Sequence, residues 1–123
     1  MELKEYKHSA MSTCTPSSFN FDYMFCNLVG EVGEFGSKVA KAIRKEEAHV
    51  NEAGYLEVFG ELERNLKLEA GDILWQLAGL VSVMGWDLEE IAQMNLDKLK
   101  ARKQAGTIVG SGDGITAEER GCE

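Results

Sequence analysis

Two pairs of carboxylates stand out because the members of each pair are three residues apart. Glu31 and Glu34 form the first pair, and Glu69 and Asp72 form the second. At about 100° per residue, each pair shares one side of a helix and lies beside an apolar stripe. If the two helices pack along these stripes, four carboxylates meet at one edge of their interface. Like charges repel in a partly desolvated place, and a divalent cation with oxygen ligands would offset the repulsion. The spacing therefore predicts a Mg²⁺ site between two helices.

The sequence predicts three helices, and the first two carry the acidic pairs. The first is predicted over residues 19–45, after candidate N-caps at Ser17 and Ser18. A turn is predicted over residues 51–54, followed by one helix over residues 55–84 that is bent or irregular in its middle. Asp87 is the predicted N-cap of a third helix, which ends near residues 104–106. The first stripe contains Phe21, Phe25, Leu28, Val32, Phe35, Val39 and Ile43, and the second contains Tyr55, Phe59, Leu62, Leu66, Ile73, Leu77, Leu80 and Met84.

Composition limits the class of protein. A chain of 123 residues is long enough for one domain, and the helical stripes with a single proline favour an all-α helical bundle. The net charge of −8 argues against binding to a nucleic acid polymer. Three cysteines without Cys-x-x-Cys spacing, no membrane-spanning apolar run and no signal peptide favour a soluble cytoplasmic protein. Residues 1–18 are interpreted as an N-terminal extension, residues 19–105 as the helical domain, and residues 106–123 as a glycine-rich tail that forms a loop.

Each candidate feature also has an ordinary interpretation. Glutamates three residues apart are common on exposed helices, and Glu34 with Lys38 has the i, i+4 spacing of a surface ion pair. A third group, Asn95, Lys98 and Arg102, shares one face of the last helix. These side chains are either a solvated charged stripe or, if they face the carboxylates, partners for phosphate oxygens.

A di-iron centre is the main rival to a Mg²⁺ site. It needs Glu-x-x-His on two helices, and this chain has one such match, Glu46 and His49, in a poorly patterned segment. We therefore favour hard-cation chemistry.

The arrangement resembles the MazG-like all-α nucleoside triphosphate pyrophosphohydrolases, and in particular their small, single-domain, phage-type members. The resemblance lies in the motifs Glu31-Val32-Gly33-Glu34 and Glu69-Ala70-Gly71-Asp72, in the run from Asn95 to Arg102, and in the glycine-rich segment from Gly106 to Asp113. It covers about residues 20–113. The 34 residues between the acidic motifs exceed the usual family spacing, which indicates that the region over residues 35–68 carries an insertion.

The resemblance implies hydrolysis of a (d)NTP to the monophosphate and pyrophosphate. Glu31, Glu34, Glu69 and Asp72 would bind two or three Mg²⁺ or Mn²⁺ ions, with Glu31 and Glu34 as the catalytic carboxylates and Glu34 as the favoured proton acceptor. It also implies a dimer or a dimer of dimers, whose pocket a neighbouring chain completes. A phage-encoded member would act in the host cytoplasm.

The resemblance further implies a substrate pocket. Its residues would be Asn95, Lys98 and Arg102, together with Asn20, Asp22 and Tyr23 at the start of the first helix. A carboxylate such as Asp22 can accept hydrogen bonds from guanine, so dGTP is the favoured substrate. Two other interpretations remain open: a regulator that binds nucleotide in a metal-dependent way without cleaving it, and a metal-free helical interaction module.

Overall fold

The structure is a computed structural model that describes residues 1–106. The predicted tail over residues 107–123 lies outside the described residues. Most of the described chain is helical, as expected, with one small antiparallel hairpin. The elements are helix α1 (Leu3–Met11), a 3₁₀ turn (Pro16–Ser18), helix α2 (Phe21–Arg44), strands β1 (His49–Val50) and β2 (Leu56–Glu57), helix α3 (Gly60–Val83) and helix α4 (Leu88–Ala105).

Two compact units make up the chain. The first contains residues Met1–Gly85, and the second begins at Trp86. Helix α4 belongs to the second unit. Its N-cap is Asp87, whose carboxylate accepts from the backbone N–H of Glu89 at 2.9 Å. It ends where Gly106 adopts a left-handed conformation, with φ at +77°, which agrees with the predicted bounds of the last helix.

Helix α2 agrees closely with the predicted first helix, but its cap differs. Asn20 is the N-cap, and its side-chain oxygen accepts from the backbone N–H of Tyr23 at 2.9 Å. Ser17 and Ser18, the predicted caps, lie in the 3₁₀ turn instead. The basic side chains of Lys41 and Arg44 occupy the last turn, where the helix dipole favours positive charge.

The prediction of one helix over residues 55–84 is wrong at its beginning. The hairpin pairs His49 with Glu57 and Val50 with Leu56, so residues 56–57 are extended and α3 begins only at Gly60. The Asn51 side-chain oxygen accepts from the backbone N–H groups of Ala53 and Tyr55, at 3.0 Å each. These bonds hold the predicted turn over residues 51–54 and direct the chain into the second strand.

Helices α2 and α3 pack antiparallel around a close contact between Met24 and Gly79. Met24 is fully buried, and a Cβ atom on Gly79 would lie 2.7 Å from the Met24 Cε and closer still to its Sδ. Gly79 therefore lets the helices approach. By contrast, nothing lies within 4 Å of a Cβ placed on Gly33 or Gly36, so no close contact within this chain requires glycine there.

The predicted inward faces of α2 and α3 are displaced from the observed ones. In α2 the buried residues are Met24 and Ala42, whereas several members of the predicted stripe are exposed. In α3 the buried residues include Gln76 and Gly79, on the side that also carries the acidic pair. Of the four carboxylates, Glu31 and Glu69 are half-buried, whereas Glu34 and Asp72 are exposed. The exposed stripe residues are Phe21 (50%), Phe25 (48%), Val32 (52%) and Ile43 (44%) in α2, and Leu77 (40%) and Met84 (40%) in α3.

Helix α1 packs on α3, although residues 1–18 show little pattern in the sequence. The Trp75 indole N–H donates both to the Ala10 carbonyl oxygen at 3.1 Å and to the Thr13 hydroxyl at 3.0 Å. Ala10 is buried in the contact. Within residues 1–106, no helix is both long enough and apolar enough to span a membrane.

Candidate metal centre

The two acidic pairs lie opposite each other where α2 and α3 cross. Each pair occupies one turn of its helix, and the antiparallel packing fixed at Met24 and Gly79 brings the two turns to the same level. Glu31, Glu69 and Asp72 each offer one carboxylate oxygen, and these three oxygens all lie within 4.8 Å of one another. This spacing suits carboxylates that share a cation.

Glu34 lies at the margin of this group. It is exposed and outside the three-carboxylate set, but it is close enough to Glu31 for its charge to raise the pKa of Glu31. The structure therefore brings three of the four predicted ligands into close contact and places the fourth beside them.

The electrostatics of the centre are unfavourable without a cation. Burial raises the pKa of Glu31 above its usual value, and the neighbouring Glu34, Asp72 and Glu69 carboxylates raise it further. Two buried carboxylate oxygens, Glu31 Oε2 and Glu69 Oε2, have no hydrogen-bond partner within the described chain. Buried anionic oxygens without partners are costly. Both oxygens can be satisfied by a bound cation, so these residues fit a divalent metal ion.

Lys38 is a member of the site that the sequence analysis assigned differently. Its ammonium group donates to Glu69 across the two helices, and this bond raises the pKa of Lys38. The i, i+4 pairing with Glu34 is therefore not the principal contact. The sequence feature that could have placed Lys38 in the site is its spacing of seven residues from Glu31, because residues seven apart lie on the same face of a helix.

Gln76 extends the same face of α3 by one turn beyond Asp72. It is 4% exposed, and its side-chain Oε1 has no hydrogen-bond partner among the described residues. A buried amide oxygen is a further acceptor on the side of α3 that carries the carboxylates. The signal that could have identified it is its spacing of four residues from Asp72, which places both on one face of the helix.

Helix α1 also contributes to the surroundings of the centre. Burial raises the pKa of Tyr6, and the nearby Asp72 carboxylate raises it further, because both favour the neutral phenol. The phenol thus stays protonated beside the acidic group. No pattern in residues 1–18 indicated this contact.

Three of the other predicted site residues lie at the start of α2. Asn20 acts as the cap of α2, and its amide also donates to the Ser17 carbonyl oxygen at 3.1 Å. Asp22 and Tyr23 are exposed in the first turn of α2.

The three predicted phosphate partners are all on α4, in the second unit. Asn95 and Lys98 are exposed, and Arg102 is half-buried. They share one face of that helix, as their spacing indicates.

Comparison with known proteins agrees with this picture. The profile of the MazG nucleotide pyrophosphohydrolase domain matches residues 19–107, which include both acidic pairs and exclude α1. A relative from Mycobacterium phage L5, named Gene 37 protein, is 36% identical over 91 residues, covering 74% of this chain and 73% of the phage protein. No solved structure matches the chain at a significant level.

Proposed function

The chain belongs to the MazG nucleotide pyrophosphohydrolase family, and from that premise we propose that it hydrolyses a nucleoside triphosphate to the monophosphate and pyrophosphate. The observation that carries the proposal is the close group formed by Glu31, Glu69 and Asp72, with two buried oxygens that have no protein partner among the described residues. Repulsion between such carboxylates opposes folding, whereas a metal ion that binds phosphates can use them as ligands.

Glu31, Glu69 and Asp72 hold the metal in this proposal. Bound Mg²⁺ or Mn²⁺ would lower the pKa of a coordinated water and offset charge on the phosphates. The chain's own task is to keep three carboxylates within one ion's reach while Lys38 balances the charge of Glu69.

Glu34 is the proposed proton acceptor. It is exposed and stands outside the close group, so its carboxylate remains available when the other three bind metal. The attacking water forms a bond to the α-phosphorus and gives its proton to Glu34. The bond from the α-phosphorus to the bridging oxygen breaks, and its electron pair leaves with pyrophosphate.

Substrate contacts are assigned to both ends of the nucleotide. Asp22, with Asn20 and Tyr23 near it, is proposed to recognise the base, because an exposed carboxylate can accept from the N1–H and the exocyclic amine of guanine. This makes dGTP the first substrate to test. Asn95, Lys98 and Arg102 are proposed to contact the phosphates.

A homodimer or homotetramer is part of the proposal. Phe21, Phe25 and Val32 leave an apolar stripe along α2 that this chain does not cover within residues 1–106, since each is about half exposed. A second copy of the chain would bury it.

The decisive experiment measures monophosphate and pyrophosphate release from the eight common nucleoside triphosphates with Mg²⁺ or Mn²⁺. We expect turnover of a purine deoxynucleotide, with dGTP fastest. Glu34→Gln should lower kcat about 100-fold, as expected when a general base is removed, and Asp72→Asn should at least match that loss.

Other outcomes separate the alternatives. Normal turnover in both variants would overturn the site assignment. Metal-dependent nucleotide binding without product would identify a nucleotide-binding regulator. Neither metal-dependent stabilisation nor nucleotide binding would leave a helical interaction module.

A further inference from the structure

A basic pocket lies two helical turns along α2 from Glu31. Its volume is about 240 Å³, and it is formed by the C-terminal half of α2, the segment that follows and the first turns of α3. Lys38, Lys41, Lys45, Ala42, Glu47, Leu62 and Asn65 line it.

The charge of this pocket is opposite to that of the chain as a whole. Three lysines and one glutamate give the lining a net positive charge, although the chain carries −8. Within residues 1–106, the structure records no ion pair for Lys41 or Lys45. Lysines at the end of a helix favour its dipole, but that effect does not require three of them in one concavity. Their convergence fits an anionic ligand that carries more than one charge.

Lys38 joins this pocket to the metal centre. Its ammonium group contacts Glu69, and Lys38 is also one of the residues that line the pocket, so the two sites are adjacent. Lys41 follows Lys38 by about 4.5 Å of helix rise and Lys45 by about 10.5 Å, both in the direction away from Glu31. A chain of phosphates that starts at the carboxylate group would therefore pass Lys38 before it reaches the other two lysines.

We propose that this pocket binds the β- and γ-phosphates of the substrate, the part that leaves as pyrophosphate. The assignment rests on the proposed function and adds to it the residues that hold the leaving group. Lys41 and Lys45 supply positive charge to phosphate oxygens, and the Asn65 amide can donate a further hydrogen bond. Because lysine acts as a flexible point charge, the pocket recognises polyphosphate charge and is indifferent to the base.

The test uses the double variant Lys41→Gln, Lys45→Gln in the full chain, with Lys67→Gln as the matched control. Lys67 is an exposed lysine on α3 that lies near Glu63, at 3.9 Å, and does not line the pocket. Two measurements are made: KM and kcat for the best triphosphate, with inhibition by pyrophosphate and by the monophosphate, and calorimetric binding of pyrophosphate in the presence of Mg²⁺.

We expect the double variant to raise KM and the pyrophosphate inhibition constant about tenfold, as loss of charge-assisted hydrogen bonds predicts. Inhibition by the monophosphate should not change, because that product lacks the β- and γ-phosphates. The Lys67→Gln control should match the original chain. Asn65→Asp, which is nearly isosteric and adds a negative charge to the lining, should shift both constants in the same direction and guards against misfolding of the double variant.

Three results have distinct meanings. Constants within twofold of the original chain in both pocket variants would overturn the inference while leaving the proposed function intact. Weaker pyrophosphate binding with an unchanged KM would also overturn it, because the pocket would then bind free pyrophosphate without contacting the bound triphosphate. If the original chain hydrolyses no triphosphate, the proposed function fails, and pyrophosphate binding lost in the double variant would still support a polyphosphate site.

Discussion

At the scale of single residues, the position of Glu31 is unfavourable for the stability of the metal-free protein. Glu31 is held beside three other carboxylates, and one of its oxygens is buried without a partner in the described chain. Lys38 forms its ion pair with Glu69. A neutral side chain at position 31 would fit the metal-free fold better, and the proposed metal ion would account for a glutamate there.

Glu31→Gln should therefore stabilise the metal-free protein and remove its response to metal. In a chelator, the variant should unfold a few degrees above the original chain, because it relieves repulsion and desolvation. Added Mg²⁺ should raise the Tm of the original chain and leave that of the variant nearly unchanged. Thermal denaturation of both proteins, with and without Mg²⁺, measures this, and Glu52→Gln in the exposed turn is the control. A variant less stable than the original chain in chelator would contradict the electrostatic account.

The raised pKa of Glu31 also fixes the sign of the pH dependence in chelator. The folded state holds this proton more tightly than the unfolded state, so the free energy of unfolding falls as pH rises from 4.5, the usual pKa, through the raised value. Glu31→Gln should flatten the curve in that window. Denaturant titrations at several pH values measure the difference.

At the scale of elements, the crossing of α2 and α3 depends on one glycine. Met24 fills the space that a side chain at position 79 would need, and it is fully buried, so its side chain must shift to admit a Cβ there. This contact lies in the same α2–α3 packing that brings the acidic pairs together.

Gly79→Ala should destabilise the chain by about 1–2 kcal/mol, since overpacking costs about 1–3 kcal/mol and alanine returns up to about 1 kcal/mol of helix propensity. The control is Gly36→Ala, where a Cβ meets nothing within 4 Å and propensity alone should act. Chemical denaturation of both variants measures the difference. Equal stability in the two variants would contradict the proposed packing constraint.

The sequence predicted the elements better than their faces. Repeated apolar residues were enough to locate α2 and α4, and the Asp87 cap and Gly106 fixed the ends of α4. The hairpin was missed because Tyr55 and Phe59 continue the apolar spacing of the following helix. The hydrogen bonds of the Asn51 side chain, which hold the turn, produce no periodic pattern in the sequence. The inward faces were misassigned because large apolar side chains were assumed to pack within their own chain.

The sequence also predicted only part of the site. The spacing of the acidic pairs indicated that carboxylates would share helix faces, and the structure places three of them within reach of one another. Contacts between distant segments, such as Lys38 with Glu69 or Tyr6 near Asp72, leave no local periodicity. They follow from the register of the packed helices, which the sequence alone did not supply.

At the scale of the whole molecule, the main feature is the apolar stripe of α2 that remains exposed in one chain. Its aromatic and β-branched residues are about half exposed, whereas the side of α2 against α3 carries Glu31 and small or flexible residues. In one chain, the side of α2 with Glu31 thus faces α3, and the apolar side stays exposed.

We expect the protein to be larger than a monomer at micromolar concentration. Phe25→Asn with Val32→Asn should shift the mass toward the monomer, because these changes place polar groups in the stripe. Val50→Asn, which changes an equally exposed apolar residue of the hairpin, should leave the mass unchanged. Light scattering coupled to size-exclusion chromatography measures all three, and a monomeric original chain would contradict the assembly.

The burial of Met24 against Gly79 also determines how readily its sulfur atom is oxidised. Its thioether is fully buried against Gly79, whereas Met84 and Met94 are 40% and 61% exposed. Peroxide converts exposed thioethers to sulfoxides readily, but it reaches a buried one only when the protein opens. Sulfoxide at position 24 should therefore form only as fast as α2 and α3 separate. The oxidation rate of Met24 would then report how often the acidic centre opens.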